Sequence, residues 1–249
     1  MRKAKTIMSL ALSAAMVISM ATTAPVMAAE SESTDGFNLN LCIASEPQSI
    51  DPALNTAMDG SVMCHHMFEG LVKWADDGEG NAVTVPGQAE SWDKETNDDG
   101  TVTYTVHLRD GIKWSDGVPV TANDFAYAWR RLVDPNTAAD YSYMIANVVN
   151  AQDIIDGKKD PSELGVEAVD DKTFKVTLST DLAYFEELCA FPALMPVRED
   201  IIEANGDQWT YNVDTYVSNG PYKMTDWTHN SEIVVAKNDE YYGAEELGP

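Results

Sequence analysis

Alternation of apolar and polar residues predicts half-buried β-strands at four places in the chain. In each of them the apolar residues fall on one side, because successive side chains of a strand point to opposite faces. Three of the apolar sets are Phe37, Leu39, Leu41 and Ile43; Val102, Tyr104, Val106 and Leu108; and Phe174, Val176 and Leu178. The fourth predicted strand is the run EIVVAK, 232–237. The turn sequences NDDG and RDG flank the second strand, and their glycines can take a positive φ.

A different period, close to 3.6 residues, predicts a helix after Thr121. Thr121 is a good N-cap residue, and Asp124 three positions later can reach back to its amide as in a capping box. Phe125, Trp129, Leu132 and Val133 then form one apolar stripe. Pro135 disfavours the helical conformation at the residue before it, so we expect the helix to end there.

Two further helices and one turn are predicted with less regular patterns. The run from Asp59 places Cys64, Met67 and Leu71 at helical spacing, with Gly70 near the end of the helix, and 181–191 reads as a short amphipathic helix. The segment NGPY, 219–222, predicts a turn, with Gly220 free to take a positive φ before the fixed φ of Pro221. Strands and helices mix without regular βαβ alternation, which indicates an α/β or α+β architecture.

The first residues predict export. Arg2, Lys3 and Lys5 precede the apolar run 7–21, and Val26 and Ala28 suit a signal-peptidase site, so we interpret 1–28 as a signal peptide. Residues 29–36 are interpreted as a flexible leading segment. No lipid-attachment motif is seen, and we expect a periplasmic or extracellular protein that is not inserted in the membrane after cleavage.

Charge excludes some partners. The chain has 41 acidic and 16 basic residues and a net charge of −25, which becomes −28 without the three cations of the signal peptide. Such a surface repels nucleic acid and anionic lipid, so we predict neither as a partner. Three cysteines, Cys42, Cys64 and Cys189, allow one disulfide of undetermined pairing, but their apolar neighbourhoods favour buried free thiols.

No pattern of catalytic residues or metal ligands stands out. The adjacent His65 and His66 lack the i, i+4 spacing of a helical metal pair, and no nucleophile elbow, HExxH, P-loop or CxxC motif occurs. We therefore predict no metal, no cofactor and no enzymatic activity. The six tryptophans are expected mainly in the core, whereas the loop DYSY, 140–143, places two tyrosines where exposed rings often serve recognition.

Eight motifs in a fixed order carry a resemblance to a known family. They are SEPQSIDPALN (45–55), FEGLVKW (68–74), PGQAESWD (86–93), YTVHLRDGIKWSDGVPVTANDFAYAWRRLVDP (104–135), LGVEAVDDKTFKVTLS (164–179), YFEELCAFPALMPV (184–197), SNGPYKMTDW (218–227) and VAKNDEYYG (235–243). Together they resemble the oligopeptide-binding, family 5 class of extracellular solute-binding proteins of ABC importers.

The resemblance implies a fold as well. It is an α/β fold of two lobes that close over a ligand, of the periplasmic-binding-protein type with an extra inserted subdomain. The first lobe would comprise 37–69 and 167–249, the inserted subdomain 70–166, and the second lobe would follow Pro249.

The resemblance further implies that an extended oligopeptide or dipeptide is bound through its backbone and delivered to a membrane permease by a monomeric receptor. Tyr141 aligns with a family tyrosine that faces the ligand, although a role in the core is the alternative. Thr56, Ala57 and Met58 align with a stretch that runs beside the bound peptide. Where Thr56 stands, some peptide binders carry an acidic residue.

Three other functions stay open at this point. The same fold in relatives binds nickel complexes, haem or sugars, and it can serve a peptide sensor or chaperone. A secreted hydrolase using His66 or His107 has only the presence of those residues in its favour.

Overall fold

The computed structural model describes residues 38–247, apart from the side chain of Glu246. The predicted signal peptide, most of the leading segment and Phe37 lie outside the described residues. From Leu41 onward the described chain forms one compact unit. None of its helices is long and apolar enough to cross a membrane.

The longer elements alternate irregularly along the chain. The α-helices are α1 (Met58–Met67), α2 (Ala122–Val133), α3 (Ala151–Ile155), α4 (Phe185–Leu188) and α5 (Glu199–Asn205). The strands are β1 (Val72–Asp76), β2 (Ala82–Pro86), β3 (Ala89–Thr96), β4 (Val102–Leu108), β5 (Val166–Asp170), β6 (Thr173–Leu178), β7 (Tyr222–Thr228) and β8 (Glu232–Lys237). Short 3₁₀ turns, Ser142–Ile145 among them, connect these elements.

An antiparallel sheet of order β3-β4-β6-β5 forms the centre of the unit, with two separate hairpins, β1-β2 and β7-β8. The predicted alternation is confirmed in β4, where Val102, Tyr104, Val106 and Leu108 are buried, and in β6. Strands from both 70–166 and 167–249 share this sheet. The predicted boundary between these ranges stays a prediction.

Helix α2 covers one face of the central sheet, as its apolar stripe requires. Phe125, Trp129, Leu132 and Val133 are all buried. The capping box is confirmed, because the Thr121 amide donates to Oδ2 of Asp124 at 2.7 Å. Burial raises the pKa of the Asp124 carboxyl above its usual value, against the opposing effect of this hydrogen bond.

A buried carboxylate attaches the segment before α1 to the rest of the core. Asp51 is 3% exposed, and its carboxylate accepts hydrogen bonds from both terminal nitrogens of Arg131, at 2.9 and 2.6 Å. Nε1 of Trp209 and the amide of Ala53 donate to the same carboxylate at 3.1 and 2.9 Å. Four donors from three parts of the chain therefore fix the loop that leads to residues 56–58.

The helix predicted from Asp59 is shorter than expected. It ends at Met67, and Phe68 is already extended, with φ −124° and ψ 158°. The side chain of Asn219 explains the early end of the helix. Its Oδ1 accepts a hydrogen bond from the Glu69 amide at 3.1 Å, and its Nδ2 donates one to the Glu69 carbonyl at 2.9 Å. These bonds replace the helical partners of Glu69, so a residue 150 positions away sets the helix end.

Gly220 is needed for a reason other than the predicted one. It is absent from the glycines with positive φ. Its amide donates to the Met67 carbonyl at 2.9 Å, and a Cβ at this position would lie 2.7 Å from the carbonyl carbon of Met67 and from the nitrogen of Phe68. Gly220 therefore does not use its freedom to take a positive φ, and the glycine instead permits close approach of two backbones.

The strand predicted from Phe37 to Ile43 does not form over its described part. Residues 38–43 have no strand assignment, and Leu39 and Leu41 are 65% and 69% exposed. Alternation alone cannot supply a pairing partner, and no strand of the described residues hydrogen-bonds to this segment. The prediction was wrong for this reason.

All three cysteines are free, and they differ in accessibility. Cys64 and Cys189 are buried as predicted, whereas Cys42 is exposed, contrary to the expectation from its apolar neighbours. Burial raises the pKa of the Cys64 and Cys189 thiols, which holds them in the unreactive protonated form.

We therefore expect one thiol of the folded protein to react rapidly with Ellman's reagent and the other two to react only after denaturation. Cys42→Ser should abolish the fast reaction, while Cys64→Ser should leave it unchanged. A reaction of only one thiol in denaturant without reductant would reveal a disulfide and contradict this assignment.

Candidate functional site

Thr56 and Ala57 lie directly before α1, and Met58 is its first residue. Ala57 has φ −116° and ψ 153°, Thr56 is exposed, and the Met58 side chain is 81% exposed. The buried Asn55 supports the segment, since its Oδ1 accepts the Ala57 amide at 3.2 Å. Within the described part of the chain, no hydrogen bond engages the backbone of Thr56. Extended backbone with free polar groups can pair with another extended chain.

Tyr141 lies half-buried at the start of the 3₁₀ turn Ser142–Ile145. Its ring packs edge-on against Phe191, with centroids 5.1 Å apart and planes at 84°. Tyr143 of the same loop is 62% exposed, and its ring centroid is 6.2 Å from that of Tyr141. The loop DYSY therefore presents one exposed ring and one that contacts the wall described next.

A concave surface of about 370 Å³ lies beside these two segments. Its aromatic wall consists of Trp74 in β1, Tyr184 just before α4, and Phe191 just after it. Met144 and Leu188 add apolar contacts. Trp74 and Tyr184 are 50% and 56% exposed, so large ring surfaces face the open space.

Two polar side chains line the same surface, His65 of α1 and Glu187 of α4. Nδ1 of His65 lies 2.8 Å from the Ser61 carbonyl oxygen, which can only accept, so Nδ1 carries a proton. In the neutral ring Nε2 is then an acceptor. The neighbouring Glu186 is engaged elsewhere, since its Oε1 accepts Nε1 of Trp92 at 3.1 Å.

None of Tyr141, Thr56, Ala57 and Met58 lines this concave surface itself. Tyr141 touches it through Phe191, and residues 56–58 lead into the helix that carries His65. The structure thus places the two predicted segments on elements that frame one surface. Whether each residue contacts a ligand stays a prediction.

The histidines of the hydrolase alternative lie apart from this surface. Nδ1 of His66 lies 2.7 Å from the Val62 carbonyl oxygen, and Nε2 of His107, on β4, lies 3.3 Å from Oδ2 of Asp93. Among the described residues, no group of three or more histidine, cysteine, aspartate or glutamate side chains could hold a metal ion. The concave surface can therefore offer a ligand ring packing, hydrogen bonds and one carboxylate charge.

Most residues of the concave surface could not be predicted as site residues from the sequence. Four of its residues belong to the motif at 184–197, namely Tyr184, Glu187, Leu188 and Phe191. That motif indicates the family but not which of its side chains line a concave surface. Trp74 was expected in the core with the other tryptophans. A half-exposed tryptophan in a strand carries no local sequence signal that separates it from a buried one.

Comparisons with known proteins agree on one family. The family model described as "Bacterial extracellular solute-binding proteins, family 5 Middle" matches residues 83–247. The periplasmic oligopeptide-binding protein OppA of Salmonella typhimurium is 41% identical over 240 residues, 96% of this chain and 42% of that protein. The oligopeptide-binding protein OppA of Bacillus subtilis is 43% identical over 211 residues, 84% of this chain and 37% of that protein.

Solved structures give the same answer for the fold. The crystal structure of Haemophilus influenzae OppA in complex with the peptide RPPGFSPFR has a TM-score of 0.74 and 44% identity. The match covers 82% of this chain and 39% of that one. The chain thus spans about two fifths of the length of the relatives it matches.

Proposed function

The chain belongs to family 5 of the bacterial extracellular solute-binding proteins, and we propose that it is part of an oligopeptide receptor of an ABC importer. The receptor binds oligopeptides or dipeptides outside the cytoplasm through their backbone and delivers them to a membrane permease. It works without covalent chemistry, as a binding protein and not as an enzyme. Its two lobes, of which 37–69 and 167–249 belong to the first, close around the ligand.

The observation that carries this proposal is the open backbone at Thr56. The backbone of an extended peptide can hydrogen-bond to Thr56, because Thr56 is exposed, its backbone groups are free, and the extended Ala57 follows it before the helix begins. Main-chain bonds of this kind are indifferent to side chains. They therefore suit a receptor that must accept many sequences.

Ala57 and Met58 continue this wall, and Tyr141 faces the ligand from the neighbouring loop. Tyr141 is held by Phe191 on one side, so its ring is fixed before the ligand arrives. A ring that is positioned in advance loses little conformational freedom on binding.

Delivery depends on the difference between open and closed lobes. A ligand that contacts both lobes favours the closed state by its differential affinity, and the closed state then docks on the permease. The acidic surface, with a net charge of −25, disfavours anionic membranes and nucleic acid as competing partners. We propose an exported monomer.

Backbone methylation of the ligand tests this proposal. Peptides that co-purify with the full-length gene product are first identified by mass spectrometry. One of them is then resynthesised with single N-methyl groups or with single side-chain exchanges, and calorimetry gives the affinities. N-methylation at the position paired with Thr56 should weaken binding about 10-fold or more, since it removes a hydrogen bond and leaves the Thr56 carbonyl unpaired in the complex.

Side-chain exchanges are the matched control and should change the affinity much less. Recovery of only metal chelates, haem or sugars with the purified protein would refute the peptide assignment. Cleaved peptides after incubation would instead support the hydrolase alternative.

A further inference from the structure

Two of the three rings of the concave surface, Trp74 and Tyr184, are about half exposed. Trp74 and Tyr184 pack against no other aromatic ring of the described residues, and Phe191 pairs only with Tyr141. Trp74 comes from β1 and the other two rings come from the segment around α4, and open space of about 370 Å³ lies before them. This volume admits one long side chain.

Charge around the surface has one sign. Glu187 contributes a carboxylate, and in the neutral form of His65 its Nε2 adds an acceptor. No lysine or arginine lines the surface. Lys73, the residue before Trp74, is paired with Glu69 at 3.0 Å, and Lys94 is paired with Asp181 at 2.7 Å.

These features select among possible occupants. An acidic side chain would meet Glu187 and the negative faces of the rings. A purely apolar side chain would remove water from Glu187 without giving it a partner. A lysine or arginine side chain satisfies all the groups at once, because its methylene stem packs on Met144 and Leu188 while its charge meets the ring faces and the carboxylate.

We therefore propose that the surface framed by Trp74, Tyr184, Phe191 and Glu187 is the subsite for a basic side chain of the bound peptide. This inference rests on the proposed function and deepens it. The receptor accepts varied peptides through their backbone and favours those that place a lysine or arginine in this subsite.

Paired peptides that differ in one charge test the subsite. The probes are pentaalanine peptides with a single lysine or a single norleucine at each position in turn, because norleucine keeps the apolar stem and lacks the ammonium. Calorimetry on the full-length gene product should show, at one position, an affinity about 5- to 30-fold higher for lysine. Norleucine equal to or better than lysine at every position overturns the inference.

Two adjacent glutamates provide a matched pair of variants. Glu187→Gln should reduce the ratio of lysine to norleucine affinity about 2- to 5-fold, and Trp74→Leu should reduce it further. Glu186→Gln should leave the ratio unchanged, since Glu186 bonds to Trp92 and does not line the surface. Equal effects of the two glutamate variants would assign the preference to overall charge and refute the subsite.

The two proposals fail in different ways. Binding of pentaalanine without any lysine preference refutes the subsite alone. If no peptide of the series binds to protein whose circular dichroism shows it folded, the proposed function fails with it.

Discussion

Replacing Asp51 by alanine should lower the free energy of unfolding by about 3–5 kcal/mol, because it leaves the mostly buried Arg131 guanidinium without its carboxylate. The Trp209 indole and the Ala53 amide would lose their acceptor at the same time. Urea denaturation followed by tryptophan fluorescence measures the loss.

The surface pair of Lys94 and Asp181 provides the control. Its atoms are 2.7 Å apart, close to the distance in the buried pair, but both side chains are well exposed. Asp181→Ala should therefore cost less than about 1 kcal/mol. The double variant Asp51→Ala, Arg131→Met should regain part of the stability, since it removes the unpaired charge. Equal losses for Asp51→Ala and Asp181→Ala would show that the buried network contributes nothing special.

Replacing Trp129 by alanine should have a comparable effect, a loss of about 3–5 kcal/mol. The side chain is fully buried between α2 and the central sheet, with its ring centroid 5.3 Å from that of Phe174. Its Nε1 donates to the Leu194 carbonyl at 3.0 Å. The substitution leaves a large cavity and an unpaired carbonyl, and the midpoint of urea denaturation should fall accordingly.

Trp74→Ala is the matched control for this substitution. Half of the Trp74 side chain is exposed, so its loss should cost less than about 1 kcal/mol of stability. Trp129→Phe keeps a ring but removes the N–H, and we expect an intermediate loss of about 1–3 kcal/mol. If Trp74→Ala were as destabilising as Trp129→Ala, the assignment of Trp129 to the core and of Trp74 to the surface would be wrong.

Elements specified by neighbouring residues were predictable from the sequence. The burial of alternate residues in β4 and β6 and the capping box of α2 follow from local patterns, and the structure confirms them. Local signals succeed here because each element buries one face against a core that its own periodicity defines.

Features set by distant residues were not predictable. The end of α1 depends on Asn219, the need for Gly220 depends on the backbone of Met67 and Phe68, and the segment 38–43 lacks a partner strand. In the first two cases the deciding group lies far away in the chain, and in the third no strand of the described residues pairs with the segment. Periodicity contains no information about such contacts.

The candidate site follows the same division. Ordered motifs identified the family, and alignment with it indicated Tyr141 and residues 56–58. The concave surface could not be predicted from the sequence, because its lining residues come from α1, β1 and the segment around α4, which are far apart in the chain.

The long-range bonds of Asp51 and Glu69 have a consequence for the order of folding. Asp51 accepts a hydrogen bond from Trp209, 158 residues later in the chain, and the Ile50 carbonyl accepts one from Tyr216, 166 residues later. Glu69 bonds to Asn219 and Tyr241, which are 150 and 172 residues later. A nascent chain that grows from its N-terminus therefore contains Asp51 and Glu69 long before these distant partners are synthesised. Such high contact order slows folding, so the chain stays unfolded while it is still short. An unfolded chain is the form that a protein-conducting channel can thread.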